Sequence, residues 1–586
     1  MNEATLPPGW PAMSIAQAHA LIGGPGSPLE IADADIRGVP SKVWKNLPPS
    51  LRAVVEMSRA QGEKIFLVYE DERVSFEAFY RAVSAFGREL QAQGVQKGDR
   101  VAIIMRNLPE WVLAFYAAAS IGAVVTPLNA WWTGPELEYG LVDSGAKIAV
   151  VDAERYERIV EHLHNCPDLQ RIYVSREEDE IAHPLIAKLE QVVGEPAAWG
   201  ALPDQPLPPA DIGPDDDATI FYTSGTTGKP KGALATQRAV NSNIFTAMAA
   251  GARVFLRRGE MPPAPDPAAP QRTGLLSIPL FHVTGCFASL NPTFFNGGKI
   301  VMMRKWDPIR AFELIERERV TLAGGVPTIA WQLIEHPARV NYDLSSLEGV
   351  SFGGAPAAPE LVRRIREAFP NSIPGQGWGM TETCATVTSN GGEDYINRPD
   401  SCGPAAAVAE LQIRDPADGV TVLPAGEVGE LWSKGPMNAK CYWNKPEASA
   451  ETFVDGWVRT GDLARLDEEG FCFIIDRAKD MLIRGGENIY CVEVENCLYD
   501  HPAIMDAAIV GRPHRTLGEE PVAVVTLKPG GDADEAELRA WVAERLAAFK
   551  VPVEVRFWPE TLPRNANGKI LKSELKKLFA QEPATA

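Results

Sequence analysis

The sequence predicts an α/β protein, with a large N-terminal domain of parallel-rich sheets covered by helices and a small α+β domain after it. Three observations carry this expectation. At 586 residues the chain is too long for one hydrophobic core, so two or more domains are expected. Apolar runs of strand length alternate with helical patterns, the order that builds parallel sheets covered on both faces. After about residue 476 the pattern changes to a compact series of short elements, the size of a small domain.

Each element has its own signal. Phe76, Phe79, Val83, Phe86 and Leu90 recur at helical spacing between Ser75 and Gly94, a cap at each end. VAIIM (101–105), AKIAVVD (146–152), ATIFYTS (218–224), GLLSIP (274–279), KIVMM (299–303) and GVSFGG (349–354) read as buried strands. The stretch from Trp111 to Pro135 holds no charge and has the length of a membrane span. Gly122 and Pro127 interrupt it, however, and its small residues suit a buried helix running into a buried strand. WDPIRAFELIERERV (306–320) starts with Asp307 as N-cap and Pro308 at the first helical position. Pro-rich segments at 203–217 and 262–270 read as surface connections. The last unit predicts a helix at 492–500, strands at 504–510 and 521–527, a helix at 533–548 and a strand at 553–558.

Composition excludes several function classes. Apolar residues make up 45% and charged residues 23%, as in ordinary globular enzymes. A formal net charge of -20 argues against a nucleic-acid partner, because counterion displacement needs a basic surface. Eight scattered cysteines form no CxxC pair, so neither zinc nor a dense disulfide framework is expected. A reducing, cytoplasmic setting fits best, and MNEATLPPGW shows no export signal. No transmembrane segment is expected; peripheral membrane contact and homo-oligomer formation are both compatible with this composition.

FYTSGTTGKPKG (221–232) has the makings of a phosphate-holding loop. It follows a strand ending at Thr223, and Gly225 and Gly228 let backbone N–H groups turn toward an anion. Ser224, Thr226 and Thr227 add hydroxyls, while Lys229 and Lys231 add positive charge. It is not the P-loop of nucleoside triphosphatases: only two residues separate its glycines, and Pro230 follows Lys229 where a helix would have to begin.

The loop resembles the phosphate motif of the adenylate-forming superfamily, the acyl-CoA synthetases and AMP-binding enzymes. Six further motifs follow in that family's order: PLFHVTG (279–285), GGAP (353–356), GWGMTET (377–383), VRTGD (458–462), DRAKDMLIRGGENI (476–489) and LPRNANGK (562–569). The resemblance spans roughly residues 50–580 and is strongest toward fatty-acid-CoA ligases. It divides the chain into an extension (1–50), a large AMP-binding domain (51–476) and a small mobile domain (477–586) turning about a hinge near Lys479.

The resemblance implies an ATP-dependent ligase that converts a small-molecule carboxylic acid to an acyl-adenylate and then to a coenzyme A thioester. No protein nucleophile is required, in keeping with the absence of a GxSxG elbow or Cys/His signature. It places Lys569, Thr381, Glu382 and His282 in catalysis, and Glu382 and Thr226 on Mg2+. Nucleotide contacts fall on Thr223, Ser224, Gly225, Thr226, Thr227, Gly228, Lys229, Gly353, Gly354, Ala355, Pro356, Trp378, Gly379, Met380, Thr381, Asp462 and Arg477. Trp378 stands where many relatives have Tyr and offers a face for adenine; Asp462 and Arg477 are matched to the ribose. Gly485, Gly486 and Glu487 are assigned to the coenzyme A tunnel, and His282, Gly285 and Cys286 to the acyl pocket.

The amino-acid-activating relatives carry an Asp near His282 that is missing here, which disfavours an α-amino acid. A medium- or long-chain fatty acid is the expected substrate, with an aryl- or steroid-type acid as the alternative. A vestigial fatty-acid binding or uptake protein, and luciferase-like oxidation, are the competing classes. Cys491, Lys440, Cys441 and His514 depart from the family pattern, and none falls on the proposed catalytic set.

Overall fold

The structure, a computed structural model, describes residues 6–223, 229–264, 266, 268–354, 359–484, 487–528, 530–565 and 568–579. Two eight-stranded sheets dominate the described residues. The first runs, in spatial order, Cys441–Tyr442, Gly232–Thr236, Asp217–Tyr222, Val124–Pro127, Arg100–Ile104, Ala146–Asp152, Arg171–Ser175 and Ile186–Lys188. It is parallel from Asp217–Tyr222 onward and antiparallel only at the end formed by the strands at 232–236 and 441–442. The second runs Ala385–Gly391, Ile373–Met380, Gly349–Gly353, Leu322–Gly325, Thr273–Leu276, Lys299–Met302, Ile65–Tyr69 and Glu72–Ser75, with antiparallel pairs at both edges.

The helix Pro109–Ser120 is buried along its whole length, and the strand Val124–Pro127 follows it, so the uncharged stretch is core. No helix among the described residues is long and apolar enough to cross a membrane. Trp111, Phe115, Tyr116, Phe79 and Phe294 form the centre of this core; Phe66 and Phe294 lie 4.5 Å apart, and the Tyr116 hydroxyl donates to Asn291 at 2.7 Å. The predicted caps are present: Ser75 Oγ accepts from the Ala78 amide at 3.1 Å and Asp307 Oδ1 from the Arg310 amide at 2.8 Å, contacts worth about 1 kcal/mol each.

A third, mainly antiparallel sheet contains Gly429–Lys434, Trp457–Leu466 and Phe471–Arg477, and delivers Asp462 opposite Arg477. The C-terminal unit is a sheet of Leu482–Arg484, Glu487–Ile489, Ile504–His514, Gly518–Leu527 and Glu554–Phe557, backed by the helices Cys491–Tyr499 and Glu535–Ala543.

Boundaries differ from the sequence reading in instructive places. The strand at 274 ends at Leu276, since Ser277 turns out to bond Gly324 O (2.5 Å) and the chain leaves for Pro279. The helix expected over 533–548 stops at Ala543, and the strand expected at 521 begins at Gly518, extended by a hairpin with His514. Residues from 15 onward, unassigned by motif, form the helix Ile15–Ile22 and the hairpin Ile31–Ile36/Val39–Trp44. Arg257 anchors this region by donating to Met13 O at 2.6 Å while pairing with Asp394 at 2.8 Å.

Candidate active site

The GWGMTET segment closes the Ile373–Met380 strand with a tight turn over Thr381–Thr383. Cys384 and Ala385 follow in left-handed backbone, φ 47° and 83°, a strained pair of the kind that functional sites retain. Asn243 holds this turn, donating to Cys384 O at 2.5 Å and accepting from the Thr386 amide at 3.0 Å. A side chain at Gly379 would meet Ala385 O at 1.4 Å, so only glycine permits the close approach. The turn buries Glu382 to 7% exposure, with Oε1 accepting the Tyr442 hydroxyl at 2.5 Å. Among the described residues Glu382 forms no ion pair.

That carboxylate suits a cation. A buried carboxylate with one oxygen left open favours a cation beside it, and a Mg2+ that keeps waters and phosphate oxygens as its other ligands needs only one such group from the protein.

Trp378, Asp462 and Arg477 form one contact set despite wide sequence separation. The indole Nε1 of Trp378 donates to Asp462 Oδ2 at 2.9 Å, and Arg477 Nε lies 3.4 Å from Asp462 Oδ1. Asp462 is 7% exposed; a carboxylate has lone pairs beyond these two contacts for further hydroxyl donors.

Lys569 arrives from the C-terminal unit on a turn whose Asn565 amide donates to Lys569 O at 2.9 Å and whose Lys569 amide donates to Asn565 Oδ1 at 3.0 Å. Arg564 braces the turn through Gly568 O and through Asp506, both at 2.5 Å. Gly568, at φ +71°, lies so near Val326 of the large domain that a Cβ would come within 2.7 Å of its side chain. The ammonium is pushed down to about 8, chiefly by burial and then by Arg477, against the opposite pull of Asp462 and Glu382. His282 also feels Lys569: burial first, then this cation, lowers its imidazole to about 3, and its Nε2 is buried with no hydrogen-bond partner among the described residues. Lys569, Glu382, Asp462, Arg477 and His282 thus share one cleft.

A cavity of about 300 Å³ opens beside them. Its walls are the strand backbones at Gly274, Gly324, Gly353 and Gly377, with Phe352 and Trp378 as the aromatic surfaces and no charged side chain among the described residues. Thr284, Ala288 and Ser289 contribute from a π-helical turn over Thr284–Leu290, and Gly285 and Cys286 of the same turn are buried behind it.

Ser224, Gly225, Thr226, Thr227, Gly228, Ala355, Pro356, Gly485 and Gly486 lie outside the described residues. The loop is fixed at its described ends: the Thr223 amide donates to Lys231 O at 2.8 Å, and Lys229 lies 4.7 Å from the Tyr139 ring. Glu487 is exposed and joins none of the cleft residues. Tyr442, Asn243, Arg564 and Asp506 were missed by sequence reasoning: Tyr442, Asn243 and Asp506 act across long sequence separations, while Arg564 stands within the LPRNANGK motif and reaches Gly568 O only four residues on. The departure at Cys491 is also less remote than expected, since its amide donates to Asp476 Oδ2 at 2.5 Å, next to Arg477.

Comparison with known proteins gives the same picture. The model of the AMP-binding enzyme family matches residues 55–443, and that of the AMP-binding enzyme C-terminal domain matches 493–569. A feruloyl-CoA synthase of Amycolatopsis is 34% identical over 86% of this chain and 94% of its own length. A long-chain-fatty-acid–CoA ligase of Bacillus subtilis is 31% identical over 92% and 96%. Among solved structures, the anthranilate CoA ligase AuaEII in complex with anthranoyl-AMP aligns at TM-score 0.79 and 26% identity, covering 91% of this chain and 98% of that one. Similarity to both aryl and fatty-acid ligases means that the expected lean toward fatty acids is not specific. The chain belongs to the AMP-binding enzyme family, and its activity is that of an AMP-forming acyl-CoA ligase using ATP and coenzyme A.

Proposed function

We propose that the acid activated is a flat, uncharged aryl or aryl-alkenoic acid rather than a long-chain fatty acid. The observation that carries this is the cavity: about 300 Å³, at the small end of ligand pockets, walled by glycine-rich strand backbones and the Trp378 and Phe352 rings. A slot of this kind accommodates a planar ring, and its uncharged lining disfavours a second carboxylate or an ammonium group. The similarity to the feruloyl-CoA synthase supports the same reading. The fatty-acid ligase relative and the apolar walls favour a medium-chain acid as the second reading.

In the proposed first half-reaction a substrate carboxylate oxygen attacks the α-phosphorus of ATP, the bond to the bridging oxygen breaks and pyrophosphate leaves. Lys569 places its ammonium beside the charge that develops on the carboxylate and α-phosphate oxygens. Asp462, oriented by Trp378 and Arg477, would accept the ribose hydroxyls, while Thr223, Lys229, Thr381, Met380, Gly353 and Gly354 would border the phosphates and base. His282, uncharged and with an Nε2 that has no partner among the described residues, would stand at the join between nucleotide and acyl group. Glu382 would hold Mg2+, which supplies positive charge to the phosphates when bound. In the second half-reaction the sulfur of coenzyme A attacks the acyl carbon and AMP leaves. The small unit, residues 477–586, would first turn about Lys479 to bring Glu487 and its flanking glycines to the cleft.

The test is pyrophosphate release by purified protein across benzoic, cinnamic and straight-chain acids of graded length. An aryl or aryl-alkenoic acid is expected to lead in kcat/KM by at least about tenfold, the scale of one well-fitted pocket contact. A maximum at a sixteen-carbon chain overturns the substrate assignment, and release independent of any acid overturns the mechanism.

A further inference from the structure

The segment Lys440–Trp443 has no role in the mechanism above, yet it lies between both charged halves of the nucleotide site. Cys441 and Tyr442 pair with Leu234 and Ala233, on the strand that leaves the phosphate loop. The Lys440 amide donates to Leu234 O and the Trp443 amide to Gly232 O, each at 2.7 Å. The same segment grips the TET turn twice: the Ala439 amide donates to Glu382 O at 2.8 Å, and the Tyr442 hydroxyl to Glu382 Oε1 at 2.5 Å. On its other side the Tyr442 ring faces Lys231, whose ammonium lies 4.9 Å from the ring centroid. Phe453 packs edge-on against that ring at 5.3 Å.

We propose that Tyr442 is a positioning residue for metal-bound ATP, its hydroxyl aiming the Glu382 carboxylate at Mg2+ and its ring face holding Lys231 toward the phosphates. The proposal rests on the reading of Glu382 as the Mg2+ carboxylate. Its physical basis is the buried O–H···O contact. With Oε1 occupied by a fixed donor, the carboxylate cannot rotate freely, and the second oxygen is left for the cation. No ion pair among the described residues does this for Glu382 instead.

The experiment measures binding of a non-hydrolysable ATP analogue by calorimetry as Mg2+ is varied, alongside Mg2+ activation of pyrophosphate release. Tyr442→Phe keeps the ring and is expected to raise the half-saturating Mg2+ concentration about tenfold in both readouts, the scale of losing a ligand-orienting partner. Analogue binding without metal should stay unchanged. Tyr442→Leu also removes the ring, and should weaken metal-free analogue binding about threefold through Lys231. Phe453→Leu touches the ring but neither charge, and serves with thermal melting as the packing control. A Tyr442→Phe protein with wild-type Mg2+ half-saturation, beside a strongly shifted Glu382→Gln, overturns the proposal and leaves the Glu382 reading intact. An unshifted Glu382→Gln overturns the Glu382 reading, and the proposal with it. Equal shifts in Phe453→Leu and Tyr442→Phe reduce the tyrosine to packing and overturn the proposal too.

Discussion

Two hairpin-like segments of the C-terminal unit have opposite surroundings. The turn carrying Lys569 is pressed against Val326 and lies in the field of Glu382, Asp462 and Arg477. The hairpin of Leu482–Arg484 and Glu487–Ile489 keeps Glu487 and Asn488 in solvent, tied to its own unit through Arg484 and Phe549 O at 3.1 Å. Both segments carry family motifs, but only one faces the chemistry. Under the proposed mechanism this arrangement would serve adenylation, and the proposed coenzyme A segment would reach the cleft only after the unit turned.

The sharpest way to break this contrast is Lys569→Ala. It should cut adenylation by at least about 10²-fold, the scale of one preorganised charge-stabilising donor, with thioester formation from supplied acyl-adenylate largely retained. Equal loss in both steps, measured by pyrophosphate release and thioester yield, would remove the distinction between the two faces. Lys479→Pro should act in reverse, because a locked φ opposes the turn: acyl-adenylate accumulates while thioester formation falls, by about 10-fold or more. Quenched-flow separation of the two products checks it.

A milder probe is pH. The Lys569 ammonium, at about 8 in the free enzyme, is the competent form, so it is present below that value and lost above it. The kcat/KM for ATP in adenylation should thus fall by about tenfold per pH unit once the pH passes about 8, since that parameter reports free-enzyme groups. Lys569→Arg should move this limb upward or abolish it. The smallest effect is expected from Arg564→Ala, which loosens the Lys569 turn without removing the cation. A loss of about threefold to tenfold in adenylation, with a lowered melting temperature from unpaired Asp506, is the expected outcome.

The chain's local chemistry was legible before any coordinates. Strand runs and the caps at Ser75 and Asp307 depend on residue type and short spacing, which a sequence states directly. The extension before residue 50 was not legible, because its anchor is Arg257, more than two hundred residues on. The cavity was not legible: His282, Gly285 and Cys286, named from their motif for an acyl pocket, are not among its described lining residues, and the width of the slot comes from glycines on four strands brought side by side.

By itself the sequence determined which groups are available: a lysine in a glycine turn, a TET acid, a TGD acid and a hydroxyl-rich loop. Tertiary structure alone decided their partners. Trp378 meets Asp462 across 84 residues and Tyr442 meets Glu382 across 60. The physical reason is range: backbone preference and periodicity act over a few neighbours, whereas hydrogen bonds and charge act through space, wherever folding happens to place the two ends.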